Sequence, residues 1–259
     1  MSPLDDLDAE ARRLLADVDR RELDARLIGG MAVRILAGER LHPAYDRPVQ
    51  DLDFVLTKRH RRDTAQLLQE AGYVPDEAFN ALNGARRLLF HDPEHGRQID
   101  VFVDSFAMCH ELPLAERLTT RPGTLPAAEV LMTKLQIVSL NAKDRGDIFA
   151  LLHSHEVAGG DDGAVNVERI TQLTREDWGL QHTFELNLGR LREVLPEQPL
   201  EPEDLRAVGG RIDALADAME AAPKSRRWKM RARIGERKRW YEEPEEVDRE
   251  GDRDPDPET

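Results

Sequence analysis

Leu27-Ile-Gly-Gly-Met-Ala-Val-Arg34, followed after a loop with Pro43 and Pro48 by Gln50-Asp-Leu-Asp-Phe54, is the stretch on which the fold turns. Ala25 to Ile28 is a short apolar run that reads as a strand. Gly29 and Gly30 let the backbone take unusual dihedrals and come close to a ligand. Met31 to Ala37 then reads as a helix ended by Gly38, and its first N–H groups are free to meet an anion. Asp51 to Leu56 reads as a second strand. Side chains alternate along a strand, so Asp51 and Asp53 point to one side. An isolated Asp-x-Asp on a strand also fits a strand end with solvated acids. A third acid, Asp100, sits in Gln98-Ile-Asp-Val-Phe-Val103, whose Ile99, Val101 and Val103 point the other way, into the core.

Working outward, residues 4–24 carry leucines and valines at helical spacing, and Arg59 to Ala71 reads as a helix ending at Gly72. Residues 73–90 read as further strands with a turn at Asn83-Gly84, and Asp92 to Gly96 as another turn. From residue 106 the pattern is helical, over 127–142, 144–153, 167–173, 176–195 and 202–221. The expected organisation is α+β: a mixed sheet flanked by helices in 1–105, an all-helical domain in 106–222, and a basic segment with an acidic tail in 223–259.

Two like charges as close as Asp51 and Asp53 repel, and a hard divalent cation would offset that repulsion. If the strands carrying Asp51, Asp53 and Asp100 are neighbours, the three acids form a metal site with room for two ions.

Glu129-Val-Leu-Met-Thr-Lys134 and Lys143-Asp-Arg-Gly-Asp-Ile-Phe149 complete a pattern. Together with Leu27–Arg34, Gln50–Phe54 and Ile99–Phe102, in this order, they resemble the nucleotidyltransferase (polymerase β-like) superfamily, most closely the AbiEii-type toxins and minimal nucleotidyltransferases. The resemblance spans roughly residues 10–153. It implies a small mixed sheet and a helical part closing one side of a nucleotide cleft. It implies Mg²⁺-dependent transfer of an NMP from an NTP to a hydroxyl, with pyrophosphate released.

Carried over residue by residue, Gly29 and Gly30 would hold the triphosphate, and Asp51 and Asp53 would bind metal. Asp100 would complete the metal site and help activate the acceptor. Lys134 would contact phosphate, and Lys143, Asp144 and Asp147 would face the cleft. Arg34 would reach the phosphates or pair with Asp51 or Asp53. Lys134 alone reads as a surface helix lysine, and Lys143 with Asp147 as a surface ion pair. Two departures stand out: Gly30 sits where many members have Ser, and Gln50 where many toxin-type members have Ser or Thr. The acceptor is left open between a tRNA 3′ end, a protein hydroxyl and a small molecule, and a cognate antitoxin is a further expected partner. The competing reading is an inactive module that holds nucleotide or a partner protein.

The chain has 259 residues and a formal net charge of −14. That balance opposes sequence-independent nucleic-acid binding by the whole surface. Residues 224–239 nonetheless hold nine basic side chains and one acidic one, while 240–259 hold ten acidic and two basic. The basic segment reads either as a solvated amphipathic helix neutralised by the tail or as an arm that tracks RNA phosphates. Trp240 to Thr259 is expected to be disordered. The single Cys109 excludes a disulfide scaffold and fits a reducing cytoplasm. The acidic start has no apolar signal segment, and no run is long enough to span a bilayer. His110, His153 and His155 show no metal-ligand spacing.

Overall fold

A computed structural model describes residues 2–243. Helix α1 (Leu7–Arg20) is capped by Asp6, whose carboxylate accepts from the Ala9 N–H, and it buries Ala11, Leu14 and Val18. Each fully buried leucine of this kind contributes about 1.5–3 kcal/mol. The chain then lays down β1 (Ala25–Ile28), α2 (Gly29–Ala37), β2 (Leu52–Leu56), α3 (Arg61–Glu70), β3 (Val74–Pro75), α4 (Glu77–Asn83), β4 (Arg87–Asp92) and β5 (Arg97–Val103). The five strands form one sheet in the order β1-β2-β5-β4-β3. Only β2 and β5 run parallel; the other pairs are antiparallel.

Residues 73–90 depart from the expected strands: α4 interrupts them. Asp76 caps it by accepting from the Phe79 N–H at 2.9 Å, and the Asn80 amide bonds both the N–H and the C=O of Leu89. Tertiary anchoring of Asn80 thus overrides the strand propensity around it.

The second half holds β6 (Ser105–Ala107), β7 (Glu111–Pro113), α5 (Ala127–Leu135), α6 (Ala142–Ser154), β8 (Glu156–Ala158), β9 (Ala164–Asn166), α7 (Val167–Thr174), α8 (Trp178–Val194), α9 (Pro202–Ala221) and α10 (Arg226–Ile234). It is helical, as expected, but two short ribbons, β6–β7 and β8–β9, punctuate it. The expected helix over 127–142 stops at Leu135, and a new one starts at Ala142, where Asn141 caps by accepting from the Asp144 N–H at 2.8 Å. The class is α+β. Buried apolar side chains of both halves form one continuous cluster, with Leu27, Val33, Val130 and Phe149 among its members. The proposed division near residue 105 therefore marks a change from sheet to helices within a shared core.

Backbone pairing and helix packing both join the halves. Leu27 donates to the Gly123 carbonyl and accepts from the Leu125 N–H, so the 123–125 segment extends the free edge of β1 before Pro126 starts α5. Helices α5 and α6 then pack against α2.

The expectation of disorder from Trp240 onward fails at its first residues. Trp240 packs edge-on against Trp178 and His182, its indole N–H donates to Thr183 Oγ1 at 3.0 Å, and the Glu242 N–H donates to the Cys109 carbonyl. Residues 244–259, the rest of that expected tail, lie outside the described residues. Among the described residues no helix is long and apolar enough to cross a membrane.

Two buried histidines give the fold a pH signature. Burial pushes the His110 imidazole down to about 4, and burial, then Arg40, does the same to His155. Unfolded, each would titrate near its ordinary value of about 6.5. The unfolded chain therefore binds more protons between these values, and stability is lost as pH falls from about 6.5 toward 4. Urea titrations in this window are expected to show up to about two protons taken up on unfolding, a loss of at most about 3 kcal/mol per pH unit. His110→Gln should remove one of them. A flat stability profile above pH 5 would refute the assignment.

Candidate active site

The parallel register of β2 and β5 puts Asp53 directly beside Asp100. Paired residues in a sheet share a face, so both carboxylates project to the side opposite Leu52, Phe54, Ile99 and Val101. Ile28 is the partner of Asp53 on the other flank. The next residue, Gly29, opens α2 with φ of +67°, a conformation that favours glycine. A Cβ on Gly29 would overlap the Asp53 carboxylate. Glycine is thus required here twice, by the backbone and by the approach of an acid.

These groups line a cavity of about 330 Å³ that is open to solvent. Gly29, Gly30, Asp51, Asp53 and Asp100 form its sheet side, and Lys134, Lys143 and Asp144 reach it from α5 and α6. The expected site residues thus meet in one place, with two exceptions. Arg34 turns away from the cavity and pairs with Asp46 at 3.0 Å and Asp8 at 3.5 Å, not with Asp51 or Asp53. Asp147 lies behind the cavity wall, almost fully buried.

Asp147 is not half of a surface pair with Lys143. Its carboxylate accepts from Arg47 Nε at 3.1 Å and Nη2 at 2.8 Å, and Lys134 Nζ stands 3.0 Å away. Lys134 also donates to Asp144 at 2.8 Å. Nor is Lys134 a surface lysine: its side chain is 14% exposed. Burial disfavours its charge, but Asp144 and then Asp147 outweigh it and raise the pKa above the ordinary lysine range. Lys134 is therefore a cation throughout the physiological range. Lys143, at the exposed start of α6, has no ion-pair partner among the described residues.

Two arginines in the cavity escaped the sequence reading. Arg47 leaves the loop before β2. Arg87, at the start of β4, donates through Nε to Asp100 Oδ1 at 2.7 Å, with its guanidinium over the Phe79 and Phe102 rings. The only sequence signal for Arg47 is its place in Arg-Pro, four residues ahead of Asp51. Arg87 carries none, because the pairing of β4 with β5 is not written locally.

A hard cation fits the donor set: carboxylate oxygens in register at the floor of an open cavity suit an ion that binds one or two carboxylates and keeps waters and phosphates as its other ligands. The expected convergence of three acids on two ions is not ready-made. Among the described residues no three Asp, Glu, His or Cys side chains form a cation cage. Asp51 Oδ1 accepts from the Gln98 N–H at 2.9 Å, and Arg87 holds Asp100 Oδ1. The cavity thus sets the Asp51, Asp53 and Asp100 carboxylates of the sheet side across from Lys134 and Lys143, with Arg87 on Asp100 and Asp144 on Lys134, an arrangement that can seat a metal-bound polyphosphate.

No known family model and no curated protein matches the chain. Solved structures resemble it in part. A lincosamide antibiotic adenylyltransferase, LnuA, with lincomycin bound is 17% identical over 58% of this chain and 98% of that one, with a TM-score of 0.41. ANT(2″)-Ia in complex with adenylyl-2″-tobramycin is 13% identical over 57% and 88%, also at 0.41. An antigenic nucleotidyltransferase-like protein from Paracoccidioides brasiliensis is 15% identical over 86% and 96%, at 0.43.

Proposed function

We propose that this protein is a nucleotidyltransferase that moves an NMP from an NTP to an acceptor hydroxyl and releases pyrophosphate. The observation that carries the reading is the cavity: Asp53 and Asp100 stand in register beside Gly29, and Lys134 and Lys143 face them from the helical half. Asp51 and Asp53 would hold Mg²⁺. When bound, the cation neutralises phosphate charge and polarises the reacting oxygens. The acceptor oxygen forms a bond to the α-phosphorus as the bond to the bridging oxygen of pyrophosphate breaks. The hydroxyl proton passes to Asp100 Oδ2, the oxygen that Arg87 does not hold. Arg87 supplies at Asp100 the positive charge that the second expected ion would bring. Lys134 and Lys143 stabilise the negative charge of the leaving pyrophosphate.

Of the acceptors, RNA fits the surface best. Arg226, Arg227, Lys229 and Arg233 of α10 are exposed, while Trp228 anchors the helix by donating to Gln181 Oε1 at 3.1 Å. The finer AbiEii-type toxin reading, with its cognate antitoxin, stands on the sequence motifs, and the cytoplasmic setting on the single Cys109.

The test is incubation with Mg²⁺, each labelled NTP, and total RNA, total protein or an aminoglycoside, with Asp53→Asn as the blank. Metal-dependent label on one acceptor pool is the expected result. Absence of both product and metal-dependent NTP binding would end the reading, and binding without turnover would select the inactive module.

A further inference from the structure

We propose that Arg47 grips the polyphosphate tail of the nucleotide, and that Gly30 is bare to make room for it. The proposal deepens the transferase reading and rests on its placement of the triphosphate. A guanidinium carries five N–H donors. Three of those on Arg47 are used: Nε and one on Nη2 go to Asp147, and one on Nη1 goes to the Pro48 carbonyl at 3.2 Å. Two donors remain, one each on Nη1 and Nη2, in a side chain that lines the cavity. The nearly buried Asp147 holds the planar fork at two points, so Arg47 is oriented before any ligand arrives. Asp147 is also shared with Lys134, so one carboxylate serves two cations and positions both at the same wall.

Gly30 supplies an independent observation. Its φ is outside the positive region that only glycine favours, and it lies in the first turn of α2, where other residues are better helix formers. The backbone therefore does not explain it. What a Cβ would meet does: Arg47 Nη2 at 2.9 Å, with the guanidinium carbon and a Val49 methyl both at 3.6 Å. The tip of an arginine normally swings away from such a contact, but this one is clamped by Asp147 and Pro48. A side chain at position 30 would push the guanidinium off its clamp. The fork thus stands against the glycine turn, beside the place given to the triphosphate, and its ligand class is a linear polyphosphate.

The experiment is a double-mutant cycle read by calorimetric binding of inorganic tripolyphosphate to the full chain. Arg47→Gln should weaken binding about tenfold or more, and Arg47→Lys by less, because charge is kept and the fork is lost. Gly30→Ala should weaken binding several-fold in the wild-type background and have no effect once Arg47 is Gln. Thermal denaturation of each variant separates loss of fold from loss of ligand. Unchanged binding in Arg47→Gln, or an equal effect of Gly30→Ala in both backgrounds, overturns the proposal. Arg47-dependent polyphosphate binding in a protein that transfers no NMP would overturn the transferase reading while leaving the grip intact.

Discussion

Asp53→Asn is expected to reduce nucleotidyl transfer by about 10³-fold or more while leaving the protein at least as stable as before. The carboxamide keeps the shape of the side chain over Gly29 but removes the negative charge that a hard cation requires. Loss of one preorganised electrostatic contact of this kind typically costs on the order of 10²–10³ in rate, and loss of a metal ligand adds to it. Stability moves the other way. Asp53 and Asp100 are like charges paired across two parallel strands. Direct cross-strand repulsion of that kind destabilises a sheet, so removing one charge relieves it. A side-by-side assay of labelled NMP transfer and thermal unfolding gives both quantities. Activity within tenfold of wild type would remove Asp53 from the chemistry; a large drop in unfolding temperature would make it structural.

The largest effect on stability is expected at Glu129, in the first turn of α5. This side chain is fully buried, and its Oε1 accepts from Arg117 Nε and from Arg169 Nε, the latter at 3.2 Å. Arg117 continues to Asp161 at 2.7 Å, and Arg169 to the Pro113 carbonyl at 2.9 Å. One carboxylate therefore ties α5 to α7, to the β8–β9 ribbon's loop and to the end of β7. Its sequence motif reads as part of the chemistry, yet it does not line the cavity. Glu129→Ala would leave two largely buried guanidinium groups short of a counter-charge, at about 3–5 kcal/mol. For a chain of this size that is roughly a 10 °C fall in Tm. A shift under 2 °C would show that the arginines re-pair at no penalty. Transfer activity measured well below the new Tm should be largely retained, which separates this acid from Asp53.

Much of the cavity was legible in the sequence because its acids and glycines sit on short elements with clear periodicity. Strands β1, β2 and β5, and the helix after Gly29-Gly30, were readable from alternation and punctuation alone. What was not legible is what depends on packing between distant elements. Asp53 and Asp100 were expected to be neighbours only if their strands were adjacent, and adjacency is set by the crossover through α3, α4 and β4. Arg47 and Arg87 look like ordinary solvated cations until the sheet order and α6 bring carboxylates to them. Asp147 was placed in the cleft but lies behind its wall, because Arg47 stands between. Trp240 lies in an acidic segment whose composition hides one indole that packs edge-on against the stacked Trp178 and His182 rings. Helix α4 was missed because its stability comes from Asn80 holding the Leu89 backbone, a contact invisible to any local window.

The strip at residues 123–125, which clips to β1 and runs directly into α5, fixes the rim on which Lys134 stands relative to the floor on which Asp53 stands. Both walls are cast from one apolar mass, so the fold itself sets how they face each other. The entropy of bringing opposite charges into facing positions is spent during folding, before any guest arrives. Selectivity among guests must then come from the shape and charge already set in place.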